Sequence, residues 1–540
     1  MKISYFKVIT IYSLFITLVF NFHLLNYFEV NYHLKYSDKF NGGYFLFTGY
    51  FLIFTTIAST FFLLGQRYLL KPVIIFFVLV GAANYYFLTV FGIIIDEAVI
   101  QSTIDSFKES NWGEINDLLT FKYFVYLSFF GFLPSLLLFF IKIQYSNLKK
   151  EIAIRLITSV VLFSITLGLI YVNYRNISFI SRAATQLKER IIPHYFLSNI
   201  KDYYDLKRDA NRTFIELKSK AEQLFPEDKM IGVVIVGETA RADRFSLNGY
   251  KKQTNPLLEK QNINNFSNAY SCGTVTSVSV PCMFTLGDYK SFNAHEAEYE
   301  ANVLDLIKSS EIEVIWINNN SSCKHVCDRI KLIDYVDKQS EDYVGYGVHD
   351  EILLTGLKKI LVNNKAKKIL IVLHSMGSHG PAYYNRYPKN FEKFKPTCES
   401  IDPQNCNNEE LNNTFDNTIF YTDYIVSSVI DVLKEEKKSQ NFLVYASDHG
   451  ESLGENGIYL HAAPMTFAPK VQIHIPALLW SSENLIEKRK KMNKNYPTLS
   501  QIENKITHEY LAHTILDFFN LKTSYLDINK SMLSVKKIIF

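Results

Sequence analysis

Polar and apolar positions divide this chain of 540 residues into two unequal parts. Up to about residue 175, runs rich in Phe, Tyr, Ile and Leu cover roughly 8–28, 43–65, 73–95, 122–141 and 155–173. Each is near or above the roughly 18 apolar residues that a helix needs to cross a bilayer, so five membrane-spanning helices are predicted over 1–175. Further along, short runs that are apolar on both faces alternate with helical patterns such as 413–436. They are "IGVVIVG" (231–237), "IEVIWIN" (from 312), "KILIVLH" (368–374) and "NFLVYAS" (441–447). Runs of this kind suit strands buried in a parallel sheet covered by helices, which predicts an α/β sandwich over 231–540. Between the two parts, 176–230 contains "SRAATQLKER" and "DYYDLKRDANRTFIELKSKAEQLF". These segments mix Tyr, Phe and Leu with Lys and Arg, and they predict amphipathic bridging helices at the membrane interface.

Charge adds an orientation. The formal net charge of +4 disfavours a basic face for nucleic acid. Lys2 and Lys7 precede the first apolar run, but no small-residue cleavage pattern follows it, so a retained anchor is expected. Short-loop cations cluster on one side, at Lys2, Lys7, Arg67, Lys71, Lys142, Lys149, Lys150 and Arg155. The other side has Lys35, Lys39, Lys108 and Lys122. The positive-inside rule then puts the N-terminus in the cytoplasm and, after five crossings, the sandwich outside. All six cysteines lie in that outer part, as an even set suited to disulfides in an oxidising compartment. Proximity predicts the pairs Cys272 with Cys282, Cys323 with Cys327, and Cys398 with Cys406.

In open α/β sheets the chemistry collects past the carboxyl ends of the strands. Glu238 follows the first strand, the segment from His374 to His379 follows the third, and Asp448 and His449 follow the fourth. Carboxylates with an imidazole suit zinc better than calcium or magnesium, so Glu238, Asp448 and His449 are the candidate metal ligands. "SCGTVTSVSVPCMF" (271–284) places hydroxyls between two cysteines. A helix starting near Thr274 to Thr276 would present a hydroxyl beside free N–H groups that favour a phosphate, and a disulfide would brace it. Coordination to a metal acidifies such a hydroxyl. Spacing alone leaves Thr274, Thr276, Ser277 and Ser279 open as the nucleophile. His379 and His461 are candidates for binding phosphate, for a second metal or for acid–base work. His474 is a weaker one.

"GETARADRFSLNGY", "CGTVTSVSVPCMF", "GSHGPAYYNRYP", "NTFDNTIFYTDY" and "SDHGESLGENGIYLH" together resemble the membrane-anchored phosphoethanolamine transferases that modify lipid A, including the polymyxin-resistance type. These belong to the alkaline phosphatase/sulfatase superfamily. The resemblance covers the five-helix anchor and nearly all of the outer domain, and it implies an α/β/α sandwich of the superfamily's type. It implies a bacterial inner-membrane enzyme with a periplasmic catalytic domain that moves phosphoethanolamine from phosphatidylethanolamine to lipid A or lipooligosaccharide. The transfer runs through a covalent threonine intermediate with zinc as cofactor. The family's nucleophile falls on Thr276, its zinc ligands on Glu238, Thr276, Asp448 and His449, and its substrate-binding or second-zinc histidines on His379 and His461. Its Cys-Lys-x-x-Cys segment matches "CKHVC" and makes Lys324 a phosphate contact.

Two departures stand out. "AAPM" follows His461 where the family usually shows Gly-x-Pro-Tyr, so Ala462 and Met465 replace a glycine and a tyrosine. Near the third span, "QSTIDS" (101–106) stands where the family often has Asn-x-x-Glu-Thr, which makes Ser102 and Ser106, with Asp105, shorter donor contacts. The competing expectations are transfer to a core sugar or another envelope glycan, a tethered sulfatase or phosphatase, a glycerol-phosphate transferase like lipoteichoic acid synthase, and a non-catalytic transporter or scaffold.

Overall fold

The structure is a computed structural model that describes residues 2–28, 42–108, 119–172, 190–200, 213–336, 348–400, 403–455, 458–466, 468–497 and 501–535. The chain divides into two compact units, Met1–Glu97 with Leu119–Tyr204, and Ala98–Leu118 with Asp205–Phe540.

Among the described residues of the first unit, four helices are long and apolar enough to cross a membrane: Leu46–Leu64, Leu70–Phe91, Phe121–Phe140 and Leu148–Val172. They match four of the five predicted spans. The remaining one, placed at 8–28, is a shorter apolar helix, Tyr5–Phe20, followed by a turn at 21–22 and a resumed helix at His23–Phe28. Asn21 accounts for the break. Its buried amide donates to Ile16 O at 3.1 Å and Ile192 O at 2.9 Å, and its Oδ1 accepts from Ile192 N at 2.9 Å. A helix-interior asparagine that finds backbone partners elsewhere competes with the helix ladder. Arg155 is buried and caps the Gly42–Leu64 helix, donating to Phe62 O and Gly65 O, and its charge is paired with Glu151 at 2.6 Å. Lys/Arg groups near a helix C-terminus satisfy its orphan carbonyls, and a buried charge needs such partners.

The second unit is built on a sheet of nine strands. They are β1 (Met230–Gly237), β2 (Ile263–Tyr270), β3 (Glu313–Asn318), β4 (Lys331–Asp334), β5 (Lys368–His374), β6 (Gln440–Ser447), β7 (His474–Ser481), β8 (Gln501–Ile502) and β9 (Ile506–Thr507). The spatial order is β8-β2-β7-β6-β1-β5-β3-β4, with β9 also pairing with β2. β6, β1, β5, β3 and β4 are parallel, and β7 runs antiparallel to both its neighbours. All eight residues of β1 and all seven of β5 are buried, as strands covered on both faces require. The main apolar core gathers Val234, Val236, Trp316, Leu370, Phe442 and Val444 with Phe518 and Phe519. Around the sheet run α1 (Thr276–Phe284), α2 (Glu351–Asn363), α3 (Asn408–Glu435) and α4 (Glu509–Phe518).

The bridging-helix reading of 176–230 is corrected over its last part, 213–229. Within it, 194–200 is helical and 176–189 and 201–212 lie outside the described residues, but 213–229 is not helical. Ile215 forms an isolated bridge with Glu300, and Glu222–Gln223 pairs antiparallel with Leu521–Lys522. Leu217 and Ala221 pack on the sheet's core cluster, so tertiary burial overrides the local helical pattern.

Candidate functional site

β1 and β6 are neighbours in register, with Gly237 opposite Ser447. The residues that follow each strand, Glu238 and then Asp448 and His449, therefore leave the sheet side by side. All three are fully buried, and their ligand atoms lie within 4.8 Å of one another. His449 Nε2 is 3.3 Å from Asp448 Oδ2 and 3.5 Å from Glu238 Oε1. α1 begins at Thr276, whose hydroxyl donates to Glu238 Oε2 at 3.2 Å and lies 3.5 Å from His449 Nε2. Four side chains predicted from separate stretches of sequence thus meet at one point, while Thr274 turns away to donate to Ala463 O at 2.7 Å.

This donor set fits a cation. His449 Nδ1 lies 2.9 Å from Gly450 O, and because a carbonyl only accepts, Nδ1 holds the proton and Nε2 offers its lone pair to the cluster. Asp448 Oδ2 is buried and, among the described residues, accepts no hydrogen bond. Burial, then the neighbouring Asp448 carboxylate, pushes Glu238 above the usual carboxylate range, and burial pushes Asp448 up as well. Burial alone would lower His449, but the two carboxylates outweigh it and raise the imidazole. Two buried acids crowded in this way ionise together only with a positive charge between them, which is the setting of an O/N-ligated metal.

Several supporting residues were not legible in the sequence pattern. Asn320 Nδ2 donates to Glu238 Oε2 at 2.9 Å, and Thr239 Oγ1 donates to Glu238 Oε1 at 2.7 Å. Asn320 lies just past the end of β3, a strand-end position of the same kind as that of Glu238. Asp350 accepts from the N–H groups of Met376 and Gly377 at 2.8 and 2.9 Å and fixes the loop that carries His379. Gly377 has φ +51°, and a Cβ there would stand 2.6 Å from Glu238 O, so the loop packs against the ligand only with glycine. Glu451, also fully buried, sits 3.4 Å from His461 Nδ1, and burial raises its carboxyl well above the ordinary value.

The histidines divide into two groups. The His461 ring centroid is 4.4 Å from that of His449 and 5.6 Å from that of His379, so both candidates flank the cluster. His374 instead bonds Asn318 Oδ1 at 3.0 Å inside the sheet, and burial, helped by the Lys324 charge, holds it down to about 3. His474 bonds Ser267 O at 2.8 Å.

Lys324 is buried in its disulfide loop, with Nζ donating to Ser321 Oγ at 3.1 Å. Its charge reaches His374, and among the described residues no hydrogen bond or ion pair joins it to Thr276. Ser102 lies on the helix Glu97–Lys108, and no contact among the described residues brings it to the cluster; the side chains of Asp105 and Ser106 lie outside the described residues. The three disulfides join the cysteines that proximity pairs: Cys272–Cys282, Cys323–Cys327 and Cys398–Cys406.

Residues 52–208 match the family described as Phosphoethanolamine transferase EptA/EptB, and residues 231–521 match the Sulfatase family. Phosphoethanolamine transferase EptA of Escherichia coli K12 is 38% identical over 465 residues, covering 84% of this chain and 83% of that protein. Phosphatidylethanolamine transferase Mcr-1 from Escherichia coli is 32% identical over 488 residues, covering 88% and 87%. The integral membrane lipooligosaccharide phosphoethanolamine transferase A of Neisseria meningitidis superposes with a TM-score of 0.88 at 31% identity, covering 98% of each chain. With an apolar helical region joined to a sulfatase-like sheet whose strand ends gather two acids, an imidazole and a threonine, the chain belongs to the phosphoethanolamine transferase family and is a transferase.

Proposed function

We propose that this enzyme transfers phosphoethanolamine from phosphatidylethanolamine to lipid A or lipooligosaccharide through a phosphothreonine at Thr276, on the periplasmic side of the bacterial inner membrane, and thereby confers resistance to cationic peptides such as polymyxin. The observation that carries the reading is the Thr276 hydroxyl held 3.2 Å from Glu238 and 3.5 Å from His449 at the N-terminus of α1. The donor and acceptor classes follow relatives named as a phosphatidylethanolamine transferase and a Kdo(2)-lipid A phosphoethanolamine 7''-transferase.

Glu238, Asp448 and His449, with Thr276 Oγ, would hold zinc, which supplies the Lewis acidity that eases ionisation of the threonine hydroxyl. Thr276 presents that proton to Glu238 Oε2. Its oxygen attacks the donor phosphorus, the bond from phosphorus to the glycerol oxygen breaks, and diacylglycerol leaves after taking up a proton. His379 and His461, whose rings lie near that of His449, would bind the phosphoryl oxygens or give that proton. An acceptor hydroxyl or phosphate oxygen then attacks the phosphorus of the phosphoethanolamine ester on Thr276, the bond from Thr276 Oγ to phosphorus breaks, and Oγ regains a proton from the acceptor hydroxyl or the site, which restores Thr276. Donor and acceptor are both lipids, so an anchor in the same bilayer would raise their effective concentration at the site. Lys324, Ser102 and Ser106 remain candidate donor contacts.

Mass spectrometry of lipid A and core oligosaccharide from cells expressing the chain or Thr276→Ala tests this. A phosphoethanolamine increment on lipid A only with the intact threonine is expected. An increment on core sugar alone would move the acceptor, and none from a folded, zinc-loaded protein would favour a hydrolase.

A further inference from the structure

Ser447 and Cys272 belong to different elements, one ending β6 directly before Asp448, the other four residues ahead of Thr276, and a single imidazole spans them. His508 Nε2 lies 2.9 Å from Ser447 O, and since that carbonyl only accepts, Nε2 carries the proton. The unprotonated Nδ1 then faces Cys272, 3.4 Å from its N–H and 3.4 Å from its Sγ. His508 is 2% exposed, and burial lowers it to about 4, so the neutral ring that this arrangement needs is the form present near neutral pH.

Both ends of the bridge feed into the site. Ser447 Oγ donates to His449 O at 2.9 Å and accepts from Ala240 N at 2.8 Å, tying the loops after β6 and β1 together. Cys272 is bonded to Cys282 within α1, the helix that starts at Thr276. His508 itself stands at the N-cap of α4, which packs its apolar face into the sheet's core, so the ring is held from behind. A rigid element therefore sets the separation between the segment that carries the threonine and the segment that carries two of the candidate ligands.

We propose that His508 is a positioning residue for this transferase: it touches neither substrate nor ligand side chain, but it holds the Thr276 turn in register with Asp448 and His449. The inference rests on the transferase reading above. Remote partners that orient a metal site typically change its affinity or activity by about 10- to 100-fold when removed.

The test uses the full-length protein in detergent with zinc and phosphatidylethanolamine, comparing wild type, His508→Leu and His508→Gln. Diacylglycerol release in a single turnover, its dependence on donor concentration, zinc affinity by competition with a chromogenic chelator, and thermal stability are measured together. The expected result for the leucine variant is release slowed about tenfold or more at saturating donor, half-saturation within about twofold, and weakened zinc affinity. Glutamine, which can still donate to Ser447 O, recovers most of both losses. Release and zinc affinity within about twofold of wild type in the leucine variant would overturn the proposal, as would leucine and glutamine variants impaired equally in step with their melting temperatures. If wild type binds zinc yet releases no diacylglycerol, the transferase reading fails, and the zinc affinities of the two variants then decide the positioning role by themselves.

Discussion

Asn320 Nδ2 donates to Glu238 Oε2 at 2.9 Å, the same oxygen that accepts from Thr276 Oγ at 3.2 Å. The amide also donates to Ser375 O at 2.9 Å, so it is anchored to the loop after β5 and cannot swing with the carboxylate. Asn320 therefore fixes which face of Glu238 the threonine meets. Asn320→Ala should cost about 1–3 kcal/mol of stability for the buried partners left behind. Transfer should fall about 10- to 100-fold at equal zinc loading. A reconstituted assay with purified variants checks both. Transfer within about twofold of wild type would mean that Thr239 alone orients Glu238.

What the sequence made legible here followed local rules. Glu238 and the pair Asp448 and His449 each follow a mainly apolar buried run, and a parallel sheet brings the ends of such runs together whatever lies between them. The four long apolar helices and the three disulfides likewise follow from run length and proximity. Thr276 could not be separated from Thr274 by spacing, because what distinguishes them is that Val275 caps α1 and leaves one hydroxyl facing Glu238 and the other facing Ala463. His508 and Asp350 were illegible for a related reason. A histidine before a helix or an aspartate at its N-cap reads as ordinary surface chemistry until distant chain covers it. The break at Asn21, the bridge at Ile215 and the short strand Glu222–Gln223 also depend on partners far away in sequence.

Asp423 gives a pH-dependent signature of the scaffold. Its two oxygens accept from Leu257 N and Leu258 N, each at 2.9 Å, yet burial pushes its carboxyl up to about 7. A carboxyl raised on folding stabilises the native state fully below its unfolded value, and that contribution is lost as pH rises through about 7. Asp423→Asn loses one acceptor but never carries the charge. Its melting temperature should therefore lie below wild type at pH 5, and the gap should narrow or reverse by pH 8. The change corresponds to a few kcal/mol, on the order of the pKa displacement. Parallel melting curves across this range would show that Asp423 stays ionised in the folded protein.

Metal removal should have its own pH dependence. Burial raises Glu238 and Asp448 in the metal-free cluster, so its stability is greatest at low pH and falls as these groups are forced to ionise. A bound cation relieves that repulsion, and protons compete with it. The difference in melting temperature between zinc-loaded and chelated protein should widen from pH 5 to pH 8, and added zinc should restore it. A gap that is constant or shrinks with pH would argue that these carboxylates do not hold the ion.

Ala462 occupies a left-handed conformation, with φ +73°, at the position where the resemblance leads one to expect glycine. Its N–H donates to Thr274 O at 3.0 Å, and the next residue's carbonyl accepts from Thr274 Oγ, so the turn after His461 is docked on the segment that leads to Thr276. An L-residue pays about 1–2 kcal/mol in this region. Glycine removes that strain but adds about 0.5–1 kcal/mol of unfolded-chain entropy. Ala462→Gly should therefore stabilise the protein by roughly 0.5 kcal/mol, a rise of about 1 °C in melting temperature. Ala462→Val, with a branched Cβ in the same conformation, should lower the melting temperature and loosen the turn that holds Thr274. The opposite order of the two variants would mean that the Ala462 methyl contributes more through packing than its backbone loses in strain.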